Sequence, residues 1–359
     1  MDQSNKRVII WCPSIIELME DKPIGGIAVQ MYFWAQIFAE QKWDVYSFAA
    51  HHKKSFIREG ITFLPKRNIK HLNIMSEWWH AFLFISKIKP DIIIYRGANR
   101  ELFPLATMCK VHSIKLLFFS ASDVNFEPGK ELVGNELNRK LYQRAIKNCD
   151  FFVVQNKHQQ ETLYQNYGKN CLLHYNIWGK VKTLTNEALP TSDAVWIANF
   201  RRLKRVEWIL NAAEKLPNYK FVIAGGSADD SQYYEDMRML ATSLNNVDFL
   251  GSKSFFLSTK LVACSKVLLC TSTFEGFPNT FLQAWSNGLP VISTVDPSGI
   301  ISEYKLGEIV HTEEELEAAL HRILDNKEYY QKLQHNVCNF FKENHSAISG
   351  YNKIIQYIS

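Results

Sequence analysis

Residues 274–290 place one acidic side chain and a glycine–proline turn directly before a predicted helix. Gly276 has no side chain to obstruct a ligand, and Pro278 suits the first turn of a helix. The free backbone N–H groups around Asn279 and Thr280, aided by the helix dipole, can bind an anion. The stretch therefore predicts a turn that could hold a diphosphate.

Two side chains of this stretch could contact whatever is attached to that diphosphate. Glu275 lies just before the anion site and can accept hydrogen bonds from hydroxyl groups. Gln283 lies about one helical turn farther on and can point back at the same ligand, because helical side chains lean toward the N-terminus. Phe277 lies in the turn between them. In the alternative reading, Glu275 caps a helix and Gln283 is a surface residue.

A basic loop follows the predicted strand at residues 195–198 and leads into a second predicted helix. When no metal is present, lysine, arginine or helix N-termini must neutralise the negative charge of a phosphate ligand. Lys204 could serve that purpose, and so could three neighbouring arginines, which are Arg201, Arg202 and Arg205. The alternative is a solvated basic turn.

Several glycines stand where predicted strands end, so that a ligand could approach the backbone there. Gly225 follows the strand at 220–224, Gly251 follows the strand at 247–250, and Gly25 and Gly26 open a helix after the first strand. Each could equally mark an ordinary turn. No Gly-x-Gly-x-x-Gly fingerprint follows the first strand, which disfavours a dehydrogenase.

Two further polar residues follow strands of the first half. Asp123 comes shortly after the predicted strand at 115–119, and Arg96 follows the strand at 91–95. Both are candidate binding residues, although capping of a helix by Ser122 or Asp123 is an equal alternative.

The elements that must position these residues alternate between strand and helix, which predicts an α/β fold. The strands are near-continuous apolar runs, typical of parallel sheets covered by helices on both faces. The chain length of 359 residues indicates two domains. The predicted strands are residues 8–11, 44–48, 61–64, 91–95, 115–119 and 151–154, then 195–198, 220–224, 247–250, 267–270, 291–293 and 308–311.

Residues 274–290 resemble the signature of glycosyltransferase family 4. In that signature two Glu residues, separated by seven residues, lie in a Glu-Gly-Phe-(Pro/Gly) segment that ends in Gly-x-Pro-Val. The resemblance covers most of the second half and, more loosely, the first. It implies a GT-B fold, in which two doubly wound Rossmann-like domains face a central cleft. We expect the first domain at residues 1–182, with a C-terminal helix at 340–359 packed on it, and the second at 183–339.

The resemblance also implies roles for the matching residues. Glu275 would contact the donor sugar and Lys204 would neutralise the diphosphate. Gln283 replaces the second Glu, which holds the ribose hydroxyls in the family. A carboxylate accepts from both hydroxyls, whereas an amide offers one acceptor and one donor, so we expect altered or weaker nucleotide binding. Asn199 stands where the family has an Arg.

The implied function is retaining, metal-independent transfer of a hexose from a nucleotide sugar, with a UDP-sugar favoured as donor. The expected acceptor is a glycan or a lipid-linked molecule, in surface polysaccharide or glycoconjugate biosynthesis. No further cofactor is expected. No metal is expected either, because the Asp-x-Asp motif of metal-dependent glycosyltransferases is absent from the sequence.

Two other classes stay open. One is a non-catalytic or altered nucleotide-sugar binding protein, motivated by Gln283 and Asn199. The other is a nucleotide-sugar epimerase of the same architecture. Such 2-epimerases carry an Arg-x-x-Thr-Glu-Arg-Pro-Glu run after the Gly-x-Pro-Val turn, whereas residues 293–299 here read Ser-Thr-Val-Asp-Pro-Ser-Gly, which argues against that class.

Composition bounds the cellular setting. Seven scattered cysteines without Cys-x-x-Cys spacing predict reduced thiols, and no long apolar run or secretory pattern is present, so we expect a cytoplasmic protein. The net charge of +5 is uneven, because residues 1–180 carry 24 Lys and Arg against 16 Asp and Glu. Within that half, residues 51–84 mix basic and aromatic side chains, which suits the inner face of an anionic membrane. No nucleic-acid motif accompanies them.

Overall fold

A computed structural model of the chain describes residues 5–22, 25–49, 52–65, 74–181, 189–275 and 277–359, with the backbone alone at 74–78, 80 and 81. The chain divides into two units. Unit 1 comprises Met1–Gly179 and Asn344–Ser359, and unit 2 comprises Lys180–Glu343. Gly276 and residues 182–188 lie outside the described residues.

Unit 1 contains eight strands among its described residues. The strands are β1 Arg7–Ile10, β2 Asp44–Ala49, β3 Phe56–Arg58, β4 Ile61–Pro65, β5 Ile92–Arg96, β6 Lys115–Phe119, β7 Phe151–Val154 and β8 Leu172–Leu173. The helices are α1 Ile15–Met19, α2 Gly26–Glu40, α3 Ile74–Ile88, α4 Leu102–Val111, α5 Glu136–Asn148 and α6 Lys157–Tyr167.

Unit 2 contains six strands among its described residues. They are β9 Ser192–Ile197, β10 Phe221–Ala224, β11 Val247–Gly251, β12 Ser265–Cys270, β13 Val291–Ser293 and β14 Gly307–Ile309. Its helices are α7 Glu207–Lys215, α8 Ser231–Ser243, α9 Phe255–Ala263, α10 Asn279–Trp285, α11 Ile300–Tyr304, α12 Glu313–Leu324 and α13 Lys327–Asn344. The last helix, α14 Ala347–Ile358, belongs to unit 1 and packs on α2, and Trp43, just after α2, donates from Nε1 to the Tyr351 hydroxyl at 3.0 Å.

Each unit is built on one doubly wound sheet. In unit 1 the strand order is β3-β4-β2-β1-β5-β6-β7-β8, and β3 alone pairs antiparallel; in unit 2 it is β11-β10-β9-β12-β13-β14, all parallel. The central strands are apolar along their whole length because helices cover both faces. Ile9, Ile93 and Phe118 are fully buried in unit 1, as are Val267 and Ile292 in unit 2. The predicted α/β fold with two parallel sheets is confirmed.

Two histidines are buried in unit 1, His174 just after β8 and His345 just before α14. Nδ1 of His174 lies 2.6 Å from the Tyr175 carbonyl oxygen, and Nδ1 of His345 lies 2.7 Å from that of Asn176. Burial disfavours the imidazolium form. It lowers the pKa of His174 to about 4 and that of His345 to about 3, against an ordinary value of 6.5.

The free energy of unfolding should therefore fall when the pH drops below 6.5. Between pH 6.5 and about 4 the unfolded chain binds protons that the folded chain excludes, which costs about 2 kcal/mol per histidine by pH 5. Chemical denaturation at pH 7.5 and pH 5 measures the loss. Asn keeps a donor for each carbonyl but does not titrate, so His174→Asn/His345→Asn should flatten the difference. If the double variant lost as much stability between pH 7.5 and pH 5 as wild type does, the two histidines would not be the cause of the loss.

Candidate active site

The two loops that carry the predicted catalytic residues meet where the sheet of unit 2 changes direction. From β9 the chain adds β10 and β11 on one side, then crosses over and adds β12, β13 and β14 on the other. The loops after β9 and β12 therefore leave neighbouring strands in opposite directions and open a crevice at their carboxyl ends. Ligands of doubly wound sheets bind at such a crevice.

Lys204 and Glu275 form an ion pair at this crevice. Lys204 lies in a 3-10 turn, Arg202–Lys204, after β9, and its Nζ contacts Glu275 Oε1 on the loop after β12. Ser272 Oγ donates to the same Oε1 at 2.9 Å. The two side chains are 18% and 20% exposed, so both stay within reach of a ligand while solvent screens their charges only in part.

Hydrogen bonds to backbone carbonyls fasten the two loops together. The Thr273 amide donates to the Leu203 carbonyl at 2.8 Å, and Thr271 Oγ1 donates to the Lys204 carbonyl at 2.7 Å. The loop after β12 is also held to the segment after β13, where Thr294 Oγ1 donates to the Ser272 carbonyl at 2.6 Å. Thr271 and Ser272 were not among the predicted site residues, although two hydroxyl residues directly after a strand at the carboxyl edge of a parallel sheet were a usable signal.

The three arginines of the basic loop have different surroundings. Arg201 pairs with Asp229 at 3.0 Å, and Arg202 pairs with Asp230 at 2.9 Å. Both aspartates lie at the surface on the loop after β10, so each of these two guanidinium groups already has a carboxylate partner. Arg205 instead donates to two backbone carbonyls on the loop after β12.

The glycines after β10 and β11 bring backbone segments close together. A Cβ atom on Gly225 would lie 1.8 Å from the Ala198 carbonyl oxygen, so no other residue fits there. The Gly225 amide donates to the Gly251 carbonyl at 2.9 Å. Asn199 follows Ala198 after β9, and its Oδ1 would lie 4.0 Å from a Cβ atom added to Gly226. These residues shape the backbone on the β10 side of the crevice.

Helix α10 begins at Asn279, with Pro278 in extended conformation as its N-cap residue. Pro278 thus precedes the first turn rather than lying in it as predicted, because its ψ of 122° is not helical. Phe277 packs on Trp285 at 6.1 Å between ring centroids and anchors the turn. Asn279 and Thr280 form the first helical turn.

Gln283 is 4% exposed and is fixed by two hydroxyl groups of α9. Thr259 Oγ1 and Ser258 Oγ each donate to the Phe255 carbonyl at 2.9 Å. Having used their hydrogens, they can only accept from Gln283, whose Nε2 lies 3.1 Å from Thr259 Oγ1. The amide nitrogen therefore faces α9. Oε1 points elsewhere and has no hydrogen-bond partner among the described residues.

This arrangement explains a glutamine where the resemblance leads one to expect glutamate. In Gln283→Glu, a carboxylate oxygen would replace the donor that faces Thr259 and Ser258, and burial would disfavour its charge. We expect the free energy of unfolding to fall by about 1–3 kcal/mol at pH 7 and by less at pH 5, where the new carboxyl group is partly protonated. Denaturation at both pH values, with Gln331→Glu on the exposed surface of α13 as control, measures this. Equal stability of Gln283→Glu and wild type at pH 7 would contradict it.

In unit 1, Asp123 lies in a short 3-10 turn after β6 and is tied to α6. Its Oδ1 accepts from Asn156 Nδ2 at 2.9 Å and from Gln159 Nε2 at 2.8 Å. Ser122 is the N-cap residue of that turn, and Asn125 completes a capping box with it. The capping role therefore belongs to Ser122, and Asp123 instead holds the loop after β6 against α6.

Arg96 ends β5 at the point where the sheet of unit 1 changes direction, between β1 and β5. Its Nη2 donates to Asn176 Oδ1 at 2.7 Å, and its buried Nε has no partner among the described residues. Burial lowers the pKa of the guanidinium to about 10. Gly25 and Gly26 lie at the exposed start of α2. The next residue, Ile27, packs against Gly97 beside Arg96, since a Cβ atom added to Gly97 would lie 3.3 Å from Ile27 Cδ1.

Residues 185–339 match the family model for group 1 glycosyl transferases, which covers most of unit 2. An uncharacterized glycosyltransferase of Methanocaldococcus jannaschii is 27% identical over 62% of this chain and 59% of its own length. The UDP-N-acetylglucosamine–peptide N-acetylglucosaminyltransferase GtfA subunit of Streptococcus pneumoniae is 25% identical over 42% of this chain and 31% of its own. The alignments thus span less than two thirds of either relative.

Two solved structures share the fold over nearly the whole chain. Sucrose-phosphate synthase from Thermosynechococcus elongatus has a TM-score of 0.69 at 13% identity and covers 99% of both chains. A putative UDP-N-acetylglucosamine 2-epimerase from Listeria monocytogenes has a TM-score of 0.66 at 14% identity and covers 99% of this chain and 96% of its own. The predicted GT-B fold is confirmed, and the family match confirms the predicted enzyme class for unit 2.

Proposed function

We propose that this chain, whose unit 2 is a group 1 glycosyltransferase domain, moves a sugar from a nucleotide-sugar donor to a glycan or lipid-linked acceptor. The observation that carries the proposal is the Lys204–Glu275 ion pair at the crevice between β9 and β12. One cation and one carboxylate stand together there, beside the start of α10. This set can bind a diphosphate and the hydroxyl groups of an attached sugar.

The ion pair prepares the site for a charged ligand. Without a donor, each charge satisfies the other, so neither is left half-buried and unpaired. A bound donor exchanges the partners: its diphosphate takes the Lys204 ammonium, and a hydroxyl of its sugar donates to Glu275. The N–H groups of Asn279 and Thr280 add positive potential next to the diphosphate.

Gln283 supports the ribose part of the proposal. Its Oε1 is a buried acceptor without a partner among the described residues, and a ribose hydroxyl can donate to it. The nitrogen is already used by α9, so Gln283 would bind one hydroxyl rather than two. The favoured nucleotide is UDP, since the pneumococcal relative is by name a UDP-N-acetylglucosamine-dependent transferase.

The proposed reaction retains the anomeric configuration and belongs to family 4. The bond between the anomeric carbon and the phosphate oxygen breaks, the acceptor oxygen attacks the same face, and its proton passes to the departing phosphate. Lys204 stabilises the charge on the leaving diphosphate without a metal ion. Arg96 and Asp123 of unit 1 remain candidate contacts of the acceptor or of the donor sugar, and the buried Nε of Arg96 still has a hydrogen to donate.

A panel of donors tests the proposal. The purified protein is incubated with UDP-, GDP-, ADP- and dTDP-sugars in the presence of a chelator, and released nucleotide is measured. We expect slow release from a UDP-sugar without acceptor. Complete dependence on a divalent cation would overturn the metal-free reaction. Tight binding of UDP without release from any donor would instead favour the non-catalytic binding protein.

A face of unit 1 supports the proposed contact with the inner surface of an anionic membrane. Trp79, Leu83 and Lys87 follow one another every fourth residue along α3, and Trp79 and Leu83 are 60% and 45% exposed. Val111, at the end of α4, is 71% exposed and follows the exposed Lys110. Exposed apolar side chains beside lysines suit the interface of an anionic bilayer. Lys66, Arg67, Lys70 and His71 of the predicted basic stretch lie outside the described residues.

Vesicle binding tests this contact. Trp79→Ser/Leu83→Ser should weaken binding to vesicles that contain phosphatidylglycerol at least about tenfold, because two apolar side chains no longer insert. Leu132→Ser, which removes another exposed leucine of unit 1, is the control and should bind as wild type does. Unchanged binding of the double variant, or equal binding of wild type to neutral vesicles, would contradict the proposal. Among the described residues, no helix is long and apolar enough to cross a membrane.

A further inference from the structure

Arg205 has a backbone conformation that side chains other than glycine rarely adopt. Its φ of 48° and ψ of 52° lie in the left-handed helical region, which costs an L-residue about 1–2 kcal/mol. A residue held there must be fixed by its surroundings. The side chain of Arg205 shows what fixes it.

The guanidinium of Arg205 bridges from the loop after β9 to the loop after β12. Its Nε donates to the Thr271 carbonyl at 2.6 Å, and its Nη2 reaches the Ser272 carbonyl at 3.4 Å. The guanidinium also stacks over the ring of Trp208, 4.1 Å from the centroid. Each of these contacts holds the plane of the group in place.

These contacts lead directly to both catalytic candidates. Thr271, whose carbonyl Arg205 holds, returns a hydrogen bond from its hydroxyl to the Lys204 carbonyl at 2.7 Å. Ser272, whose carbonyl Arg205 also reaches, donates from its Oγ to Glu275 at 2.9 Å. Moving Arg205 would therefore shift the backbone under Lys204 and the hydroxyl that orients Glu275.

We infer that Arg205 is a positioning residue of the transfer reaction, which fixes Lys204 and Glu275 relative to each other and does not itself bind the diphosphate. The inference rests on the proposed function. It differs from the expectation that all three arginines of the basic loop face the donor. Arg201 and Arg202 pair with aspartates, and Arg205 spends two of its nitrogens on backbone carbonyls.

The substitution Arg205→Gly separates positioning from folding. Glycine adopts the left-handed conformation freely, so the relief of backbone strain offsets part of the lost hydrogen bonds. We expect kcat to fall at least about tenfold, KM for the donor to change less than about threefold, and the melting temperature to stay within about 5 °C of wild type. Arg205→Lys, which keeps one donor, should give an intermediate kcat. Arg238→Ala, which removes an exposed arginine of α8, serves as the control and should behave as wild type does.

Three results would overturn the inference. The first is that kcat and KM of Arg205→Gly both stay as in wild type. The second is that KM rises while kcat stays unchanged, which would indicate direct donor binding. The third is a loss of activity matched by a loss of folded protein. Hydrogen exchange adds a readout that does not depend on turnover. The Thr273 amide, which donates to Leu203, should exchange at least about tenfold faster in Arg205→Gly. If wild type releases no nucleotide but the Thr273 amide still exchanges faster in Arg205→Gly, the proposed function fails, whereas the role of Arg205 in holding the two loops together stands. If the exchange rate in Arg205→Gly is unchanged, Arg205 does not hold the two loops together.

Discussion

Glu275→Gln is expected to lower kcat for sugar transfer by about 10²–10³-fold while the protein stays folded. Glutamine has the same shape and can still accept from Ser272 Oγ, which lies 2.9 Å from Oε1 in the native site. It loses the negative charge that neutralises Lys204 and that would orient the donor sugar through its hydroxyl groups. Because the pair is half-buried, we expect a fall of only about 1–2 kcal/mol in the free energy of unfolding.

Steady-state kinetics with the donor identified by the panel, together with chemical denaturation, measures both effects. Unit 2 offers a matched control in Lys215 and Glu317, an ion pair between α7 and α12 at 2.6 Å. Glu317→Gln breaks a pair of the same type away from the crevice and should retain full activity. A Glu275→Gln variant with kcat within about threefold of wild type would remove Glu275 from the proposed mechanism.

Much of the fold could be predicted because parallel strands leave a strong pattern in the sequence. Every one of the twelve predicted strands overlaps a strand of the structure. β3 and β8 were missed because they are short strands at the two edges of the sheet, where one side is unpaired and no apolar run is needed. Strand order was not predictable, because it depends on which helix crosses which face.

The site was predictable as a set of residues but not as a geometry. The residue types and spacing of Glu275 and Lys204 indicated a cation and a carboxylate near one turn, and the structure places the two in contact. The orientation of Gln283 depends on hydroxyl groups of α9, about 25 residues away in sequence, whose hydrogens are committed to the Phe255 carbonyl. The pairing of Arg201 and Arg202 depends on aspartates of another loop. Such side-chain partners follow from packing in three dimensions, which local sequence does not encode.

Lys204→Met is expected to lower kcat/KM for the donor by about 10²–10³-fold, because the ammonium group no longer meets the charge on the leaving diphosphate. Methionine keeps much of the apolar stem, so the hydrogen bond from Thr271 Oγ1 to the Lys204 carbonyl should survive. Lys215→Met, in the exposed pair with Glu317, is the control for loss of a lysine in unit 2.

The double variant Lys204→Met/Glu275→Gln shows whether the two residues act as one unit. In the proposed reaction the donor separates Lys204 from Glu275, because its diphosphate binds the lysine and its sugar hydroxyl binds the carboxylate. Each single variant already prevents this exchange of partners, so the double variant should be about as slow as the slower single variant. Removing both charges also leaves no unpaired half-buried group, so its free energy of unfolding should recover toward wild type. Losses in kcat/KM that multiply would instead show that Lys204 and Glu275 contribute independently. The ion pair would then be a contact of the donor-free protein without a role in the reaction.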